Sequence, residues 1–261
     1  MILAGSEKVC YIGTMMTTTY IMNLAKLNND TVFERYFSQM PDERQEKILR
    51  SKHRMDKNRS LGAGILLAHG LLANGIELKN AVIWEGEYGK PYLAGIRVDK
   101  ETYSSNIQVC PAAEIRKPQQ DIYFNLSHSG DYAAAVFGTV PVGIDIEHER
   151  KNTGGIIRRC FCSGEQEALA ACRSEEERAD LFLRYWTIKE SVAKVSGLGM
   201  RLPFTEIRLT KDCQVEVNWK DETWKYFFRE MELPVTGKDK YRIAVCAEAE
   251  RFAQEPIWVE E

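Results

Sequence analysis

The order of predicted helices and strands repeats once along this chain. Side-chain periodicity predicts a strand over residues 18–24, a helix over about 42–73 and then several strands in the first half. The second half begins with a predicted strand over residues 142–147, continues with a helix over about 163–195 and again ends in strands. Because each half has the order strand, helix, strands, the sequence predicts an α+β fold of two similar lobes with a cleft between them.

The two predicted lobes meet near the turn at Pro141. We place the first lobe at residues 1–139 and the second at 140–261, in keeping with the usual domain size of about 100 to 200 residues. Residues 100–120 are polar and contain two prolines, which predicts a surface loop. The later strands are predicted at residues 81–85, 122–126, 132–137, 206–209, 215–219, 224–231 and 241–247.

Composition indicates a globular protein that does not enter a membrane. The chain of 261 residues is 44% hydrophobic and 28% charged, and it has no apolar run of about 18 residues. Residues 1–20 lack the long apolar block of a secretory signal, so we expect a cytoplasmic location. The net charge of −3 argues against nonspecific nucleic-acid binding as the main task. We expect a monomer, since two lobes of one chain can form the cleft.

The cysteines predict neither a disulfide framework nor a zinc site. Their number, seven, is odd, and they are scattered along the chain, which is typical of reduced thiols. Cys160 and Cys162 could supply half of a zinc site, but no second pair with ligand spacing is present.

Two carboxylates alternate with isoleucines in the predicted strand at residues 142–147. The period of two places Asp145 and Glu147 on one face and Ile144 and Ile146 on the other. A solvated strand face is one interpretation of this pattern. The other is that a cation lies between the two carboxylates, since they would otherwise repel each other.

A third carboxylate, Glu190, lies in the second predicted helix, four residues before Lys194. In this order the two could form an ordinary surface ion pair worth about 0.3 to 0.5 kcal/mol. Alternatively, Glu190 completes a set with Asp145 and Glu147. Hard oxygen ligands that leave positions open suit Mg²⁺ bound together with a phosphorylated substrate.

Positive charge is concentrated in residues 42–59, where seven lysines and arginines face four acids. Such a run is commonly a solvated helix face. Near a magnesium site, however, it could pair with phosphate groups away from the metal.

Residues 124–130 end a predicted strand with Ser127, His128 and a glycine turn, which can donate to phosphate oxygens. A serine hydrolase is not predicted, because adjacent strand side chains point to opposite faces.

Five short motifs in this order resemble the surfactin-type 4'-phosphopantetheinyl transferases. They are residues 89–91 (GKP), 124–130 (FNLSHSG), 143–147 (GIDIE), 161–165 (FCSGE) and 186–191 (WTIKES) followed by Lys194. The resemblance implies two pseudo-twofold-related lobes. It also implies transfer of 4'-phosphopantetheine from coenzyme A to a serine of an apo acyl, peptidyl or aryl carrier protein, with release of 3',5'-adenosine bisphosphate.

The resemblance also implies residue roles. Asp145, Glu147 and Glu190 would bind Mg²⁺ with the pyrophosphate. Glu165 would be the general base, with Glu147 as the competing choice, and Lys194 would stabilise or protonate the leaving phosphate. A loop expected at residues 151–157, between the acidic strand and the Glu165 segment, is well placed to meet the carrier. The residues that would hold coenzyme A are Arg44, Lys47, Arg59, Ser60, Lys90, Ser127 and His128, with Lys189 assisting at the phosphates.

Two other functions use some of the same residues. A coenzyme A binding module without catalysis would keep the cations but would not need the acids. A magnesium phosphohydrolase would use the acids with water as the nucleophile, and it would not need a carrier surface. The sequence does not separate fatty acid, polyketide and nonribosomal peptide carriers as the acceptor.

Overall fold

The structure, a computed structural model, describes residues 16–98, 114–149, 153–210, 212–233 and 240–260. The helices of these ranges are α1 Asp30–Phe37, α2 Asp42–Leu49, α3 Arg54–Ala73, α4 Gly154–Cys160, α5 Ser163–Ala170 and α6 Glu175–Ser196. The strands are β1 Thr18–Asn23, β2 Ala81–Glu85, β3 Pro91–Val98, β4 Glu114–Arg116, β5 Tyr123–Ser129, β6 Tyr132–Gly138, β7 Val142–His148, β8 Ile207–Leu209, β9 Gln214–Trp219, β10 Glu222–Glu232, β11 Tyr241–Ala247 and β12 Ile257–Trp258.

The strands form three sheets, and each half of the chain supplies one large sheet with a long helix on it. The first sheet has the order β12-β1-β6-β5, the second β7-β11-β10-β9-β8 and the small third β2-β3-β4. Helix α3 packs against the first sheet and α6 against the second, each over an apolar core. The predicted α+β fold is confirmed. None of the helices in the described ranges has the length and apolar character of a membrane span.

The division into lobes at residue 139 stays a prediction, and one element does not follow it. Strand β12, at the end of the chain, pairs in parallel with β1 of the first sheet. The C-terminal segment therefore returns from the second half to the first.

Both long helices predicted from the sequence are interrupted. The first divides into α2 and α3 at residues 50–53, where His53 is extended. The second divides into α5 and α6, and Ser174 Oγ caps the start of α6 by accepting a hydrogen bond from Glu177 N. Three glutamates in the first turn of α6 further favour a helix start there, because their negative charges interact favourably with the positive end of the helix dipole.

Every strand predicted from periodicity is present within a few residues of its predicted bounds. The short helices α1 and α4 and the strands β3, β4 and β12 were not predicted, and α4 covers residues 154–157 of a segment expected to be a loop. Strand β4 lies inside the predicted loop at 100–120, of which residues 100–113 lie outside the described ranges.

Strand β7 lies directly against helix α6, and a glycine makes this approach possible. A Cβ at Gly143 would overlap the backbone of Ser191 and Val195 on α6. By the strand period of two, Asp145 and Glu147 share the face of Gly143 and turn toward α6. The opposite face packs Ile144 and Ile146 into an apolar cluster.

Strands β5 and β7 belong to different sheets, but side chains of β5 accept hydrogen bonds from backbone amides of β7. Asn125 Oδ1 on β5 accepts a hydrogen bond from Ile144 N on β7 at 3.0 Å. Two residues further on, Ser127 Oγ accepts from Ile146 N at 3.3 Å. These contacts place the polar face of β5 beside the carboxylates of β7, which is where the candidate site lies.

Candidate active site

The two carboxylates of β7 are buried. Asp145 is 4% exposed and Glu147 is 7% exposed. The interpretation of this segment as a solvated strand face is therefore wrong. Ionised side chains are rarely buried without partners, because removing a charge from water costs several kcal/mol. The partners of these two carboxylates define the site.

Asp145 is held through one oxygen only. Its Oδ1 accepts hydrogen bonds from Lys194 Nζ at 2.7 Å and from Ser127 Oγ at 2.9 Å. Within the described ranges, its buried Oδ2 has no hydrogen-bond partner. Burial raises the pKa of Asp145, while the nearby Lys194 opposes that rise. A buried carboxylate oxygen without a donor is costly by itself and is a suitable ligand for a cation.

Glu147 is held through both oxygens. Its Oε2 accepts a hydrogen bond from Ser129 Oγ at 2.8 Å, and its Oε1 accepts one from Trp186 Nε1 at 3.4 Å. Trp186 is also stacked on Phe182 in the core, with ring centroids 6.3 Å apart. The indole thus packs α6 and in addition bonds to Glu147.

Lys194 and Glu190 lie on α6, the helix that packs on β7. Lys194 does more than form a surface pair, since its ammonium bonds to Asp145 and to Ser127 Oγ. Glu190 is half-buried, one helical turn before Lys194. In the described part of the chain, no three His, Cys, Asp or Glu side chains are grouped closely enough to hold a metal ion. The described residues therefore do not gather Asp145, Glu147 and Glu190 into the three-carboxylate set expected from the sequence.

These residues nevertheless fit a magnesium ion. The donor set is carboxylate oxygen, and Asp145 Oδ2 is buried and has no partner within the described ranges. Mg²⁺ usually takes only one or two protein carboxylates and keeps waters and substrate phosphates as its other ligands. A closed cage of three carboxylates is thus not required.

The residues predicted to hold the nucleotide end lie on α2 and α3, at the β2–β3 turn and on β5. Arg59 Nε donates to Gly130 O at 3.0 Å, and Arg44 Nη2 donates to Ser60 O at 3.1 Å. Burial lowers the pKa of Arg44, and its Nε has no partner among the described residues. The structure thus brings Arg44, Ser60 and Arg59 together, while Lys47 lies on exposed α2, 3.8 Å from Glu85.

His128, on β5, lies within the electrostatic influence of both Arg59 and Lys194. Its neighbours Ser127 and Ser129 turn toward β7, whereas the exposed His128 lies on the opposite face of β5. Desolvation lowers the pKa of His128, and the charges of Lys194 and Arg59 lower it further. A neutral imidazole near two cations is a suitable hydrogen-bond partner for a phosphate-bearing ligand. Ser127, in contrast, already bonds to Asp145.

The structure contradicts the prediction that Lys189 contacts the phosphates of coenzyme A. Its side chain is fully buried, and its Nζ donates to Phe204 O at 2.7 Å and to Ile207 O at 2.9 Å. Its third contact is an ion pair with Glu165 Oε2 at 3.0 Å. Burial lowers the pKa of Lys189, and the Glu165 carboxylate opposes that effect. Lys189 thus holds the segment after α6 to the helix.

The role of Glu165 as the base is not supported by this arrangement. Its Oε2 also accepts a hydrogen bond from Cys162 N at 2.9 Å, which caps the start of α5. Withdrawing the carboxylate would leave the Lys189 ammonium buried without its counter-ion, which costs about 3 to 5 kcal/mol.

Lys90 contacts protein carbonyl groups in this structure. Its Nζ donates to Val142 O at 3.1 Å and to Val195 O at 3.0 Å, so the tip of the β2–β3 hairpin is bound to the second half. Burial lowers the pKa of Lys90 to about 8, while Glu248 opposes the shift. The contact with coenzyme A predicted for Lys90 stays a prediction.

Sequence reasoning missed Asn125 and Ser129 as site residues. With Ser127 they form an alternating polar series on β5, and all three turn toward β7. The signal was present in the sequence, because the period of two that singled out Asp145 and Glu147 applies equally to residues 125, 127 and 129.

Comparisons with known proteins agree with this site. Residues 141–246, which include β7 and α6, match the model of the 4'-phosphopantetheinyl transferase superfamily. The chain is 29% identical to 4'-phosphopantetheinyl transferase Sfp of Bacillus subtilis strain 168, over 85% of this chain and 88% of that protein. It is 30% identical to another 4'-phosphopantetheinyl transferase of Bacillus subtilis, over 82% of this chain and 84% of that protein.

A shorter similarity covers a smaller part of the chain. The chain is 37% identical to 4'-phosphopantetheinyl transferase HetI of a Nostoc species, over 36% of this chain and 41% of that protein. The two Bacillus matches extend over most of the chain, and the superfamily match includes the strand and the helix that bring Asp145, Glu147 and Lys194 together. This chain therefore belongs to the 4'-phosphopantetheinyl transferase family.

Proposed function

We propose that Asp145 and Glu147 bind Mg²⁺ together with the pyrophosphate of coenzyme A while this enzyme transfers 4'-phosphopantetheine to a serine of an apo carrier protein. The transfer follows from family membership; the metal and the residue roles are the proposal. The observation that carries it is the buried Oδ2 of Asp145, which has no partner in the described ranges and lies next to the ammonium of Lys194. A phosphohydrolase would not need the cationic group around Arg44 and Arg59.

In the reaction, the carrier serine Oγ forms a bond to the β-phosphorus of coenzyme A. The bond from that phosphorus to the bridging oxygen breaks, and the bridging oxygen leaves with 3',5'-adenosine bisphosphate. When bound, Mg²⁺ would neutralise charge on the pyrophosphate. Arg44, Arg59 and His128 would hold the nucleotide end. In support, Arg44 bonds to Ser60 O, next to Arg59 on α3, and the charge of Arg59 acts on His128.

Lys194 would stabilise the charge that develops on the leaving phosphate. Its ammonium lies 2.7 Å from Asp145 Oδ1 and its side chain is 25% exposed, so it can face both the carboxylate and a bound anion. A properly placed acid or base typically contributes a factor of about 10² to 10⁴ in rate.

Glu147 is better supported than Glu165 as the acceptor of the serine proton. Two of the partners of Glu147 are a neutral hydroxyl and an indole, and neither of them needs the negative charge of Glu147 in order to stay buried. Glu165 is bound to the buried ammonium of Lys189. Glu190, on α6, remains a predicted third magnesium ligand.

The carrier is proposed to dock beside α4, in the segment 151–157 predicted from the resemblance. Residues 151 and 152 lie outside the described ranges, and the rest of the segment belongs mostly to α4, whose Arg158 and Arg159 are exposed. Two exposed cations suit an acidic carrier surface. A cytoplasmic location, a monomeric state and the absence of nucleic-acid binding remain predictions.

The test is the intact mass of an apo carrier protein after incubation with this protein and coenzyme A, with Mg²⁺ or with a chelator. The proposal expects a gain of one phosphopantetheine group with Mg²⁺ and none with the chelator. An equal gain in both samples would contradict the metal role. No gain with acyl and peptidyl carriers, while coenzyme A still binds, would favour a binding module.

A further inference from the structure

Ser129, the last residue of β5, bonds to the carboxylate of Glu147 and also to a histidine. Its Oγ lies 2.8 Å from Glu147 Oε2 and 2.9 Å from His148 Nδ1. The serine is only 7% exposed. A buried hydroxyl between a carboxylate and an imidazole has few possible proton arrangements, so its donors and acceptors can be assigned.

The single hydroxyl proton fixes the direction of both hydrogen bonds. An ionised carboxylate can only accept, so Ser129 must donate its proton to Glu147 Oε2. Ser129 Oγ is then left as an acceptor toward His148, which means that His148 Nδ1 carries a proton. The result is a directed chain from His148 Nδ1 through Ser129 Oγ to Glu147 Oε2.

The histidine at the start of this chain is itself held in place. Its ring is stacked on Tyr241, with centroids 5.4 Å apart and planes 28° apart. The hydroxyl of Tyr241 in turn accepts a hydrogen bond from Asp131 N at 3.1 Å, at the turn that follows β5. The orientation of His148 is thus set by a contact with β11 and the β5–β6 turn.

The other oxygen of Glu147 is approached from the opposite side. Trp186 Nε1, on α6, lies 3.4 Å from Oε1. The carboxylate is therefore oriented by β5 through Ser129 and by α6 through Trp186. Asn125 and Ser127 differ from Ser129 in that they accept hydrogen bonds from backbone amides of β7.

We propose that Ser129, itself oriented by His148, is a positioning residue that presents the Glu147 carboxylate to the divalent cation of the transfer reaction. This inference rests on the proposed metal role of Glu147. Residues that orient a metal ligand typically change metal affinity by about 10 to 100-fold when they are replaced.

The experiment measures Mn²⁺ binding, in the presence of coenzyme A, from the electron paramagnetic resonance signal of the free ion. Mn²⁺ is the probe because it prefers the same oxygen ligands as Mg²⁺. Ser129→Ala should weaken Mn²⁺ binding by about 10 to 100-fold. Ser129→Thr, which keeps the hydroxyl, should recover most of the affinity. His148→Phe, which keeps the ring stacking but loses Nδ1, should show an intermediate loss.

Two controls separate positioning from general damage. Thr19→Val removes a buried hydroxyl from β1 of the same sheet and should leave Mn²⁺ affinity unchanged. Coenzyme A affinity without metal should be the same in Ser129→Ala and wild type, because Ser129 is assigned to the carboxylate and not to the nucleotide. If Ser129→Ala does not fold, His148→Phe decides the question.

The outcomes distinguish this inference from the proposed function. Wild-type protein that binds coenzyme A but no Mn²⁺ would overturn the metal role of Glu147 and the inference with it. Wild-type protein that binds Mn²⁺, together with unchanged binding in folded Ser129→Ala and His148→Phe, would overturn the inference alone. Equal losses in Ser129→Ala and Ser129→Thr would show that the hydroxyl is not the group that matters.

Discussion

At the scale of single residues, the site depends on carboxylates that are buried next to a cation. Asp145 is almost fully buried, bonds to Lys194 and Ser127 through Oδ1, and keeps Oδ2 without a partner in the described ranges. An apolar or amide group would be easier to bury at this position, since burial raises the pKa of the Asp145 carboxyl. Burial of a charge that the fold does not need is typical of a functional residue.

Asp145→Asn should therefore lower transfer activity by about 100-fold or more, as expected for loss of a charge that acts on the transition state. The fold should be retained, because the amide keeps the shape of the carboxyl and is less costly to bury. The measurement is the initial rate of carrier modification beside a urea unfolding curve. Asp121→Asn, at an exposed position, is the matched control. The assignment would be contradicted if the Asp145→Asn protein were largely unfolded while its remaining folded fraction was as active as wild type.

At the scale of elements, α6 serves both the site and the stability of the second half. Lys194 on this helix bonds to Asp145 of β7, while Lys189 is directed into the protein. Lys189 binds two backbone carbonyls of residues 204–207 and the carboxylate of Glu165 on α5. Two lysines of one helix thus have different tasks.

Lys189→Met should destabilise the protein by about 3 to 5 kcal/mol, because the Glu165 carboxylate then stays buried without its partner. The double variant with Glu165→Gln should lose less, since no charge is left unpaired. Urea unfolding of the two single variants and the double variant measures this coupling. A Lys189→Met protein of normal stability and raised KM for coenzyme A would instead favour the phosphate contact expected from the sequence.

At the scale of the whole molecule, two halves are held together close to the site. Lys90 connects the β2–β3 hairpin to Val142 and to Val195, in the last turn of α6. A lysine amine at the C-terminal end of a helix can donate hydrogen bonds to carbonyl groups that are otherwise without a partner. Strand β12 makes a second connection by pairing with β1.

Lys90 should make stability depend on pH. Its pKa is lowered from 10.5 to about 8 in the folded protein, so the unfolded chain binds more protons between these values. Stability that comes from this group is thus present above the unfolded pKa and is lost as the pH falls through about 8, by up to about 3 kcal/mol. In urea unfolding at several pH values, the free energy of unfolding of wild type should rise relative to that of Lys90→Met between about pH 8 and pH 10. A constant difference would contradict the lowered pKa.

The fold class, most strands and the acidic strand of the site could be predicted from the sequence, because they depend on local periodicity. Alternation alone places Asp145 and Glu147 on one face of a strand. It could not show that this face is buried against α6, since that depends on Gly143 and on the packing of distant elements. Packing also decides the direction of the Lys189 side chain, which points into the core. The contact with the phosphates that the resemblance implied for Lys189 could therefore not be checked from the sequence. The break before α6 had a local signal, Ser174 followed by Glu177, that the helical pattern concealed.

The most direct test of the proposed metal site is anomalous diffraction at the manganese absorption edge, from crystals grown with Mn²⁺ and coenzyme A. We predict one anomalous peak within coordination distance of Asp145 Oδ2, with Glu147 as a further ligand and the pyrophosphate beside it. A crystal with coenzyme A bound and no peak at these carboxylates, or with the peak elsewhere on the molecule, would contradict the proposal.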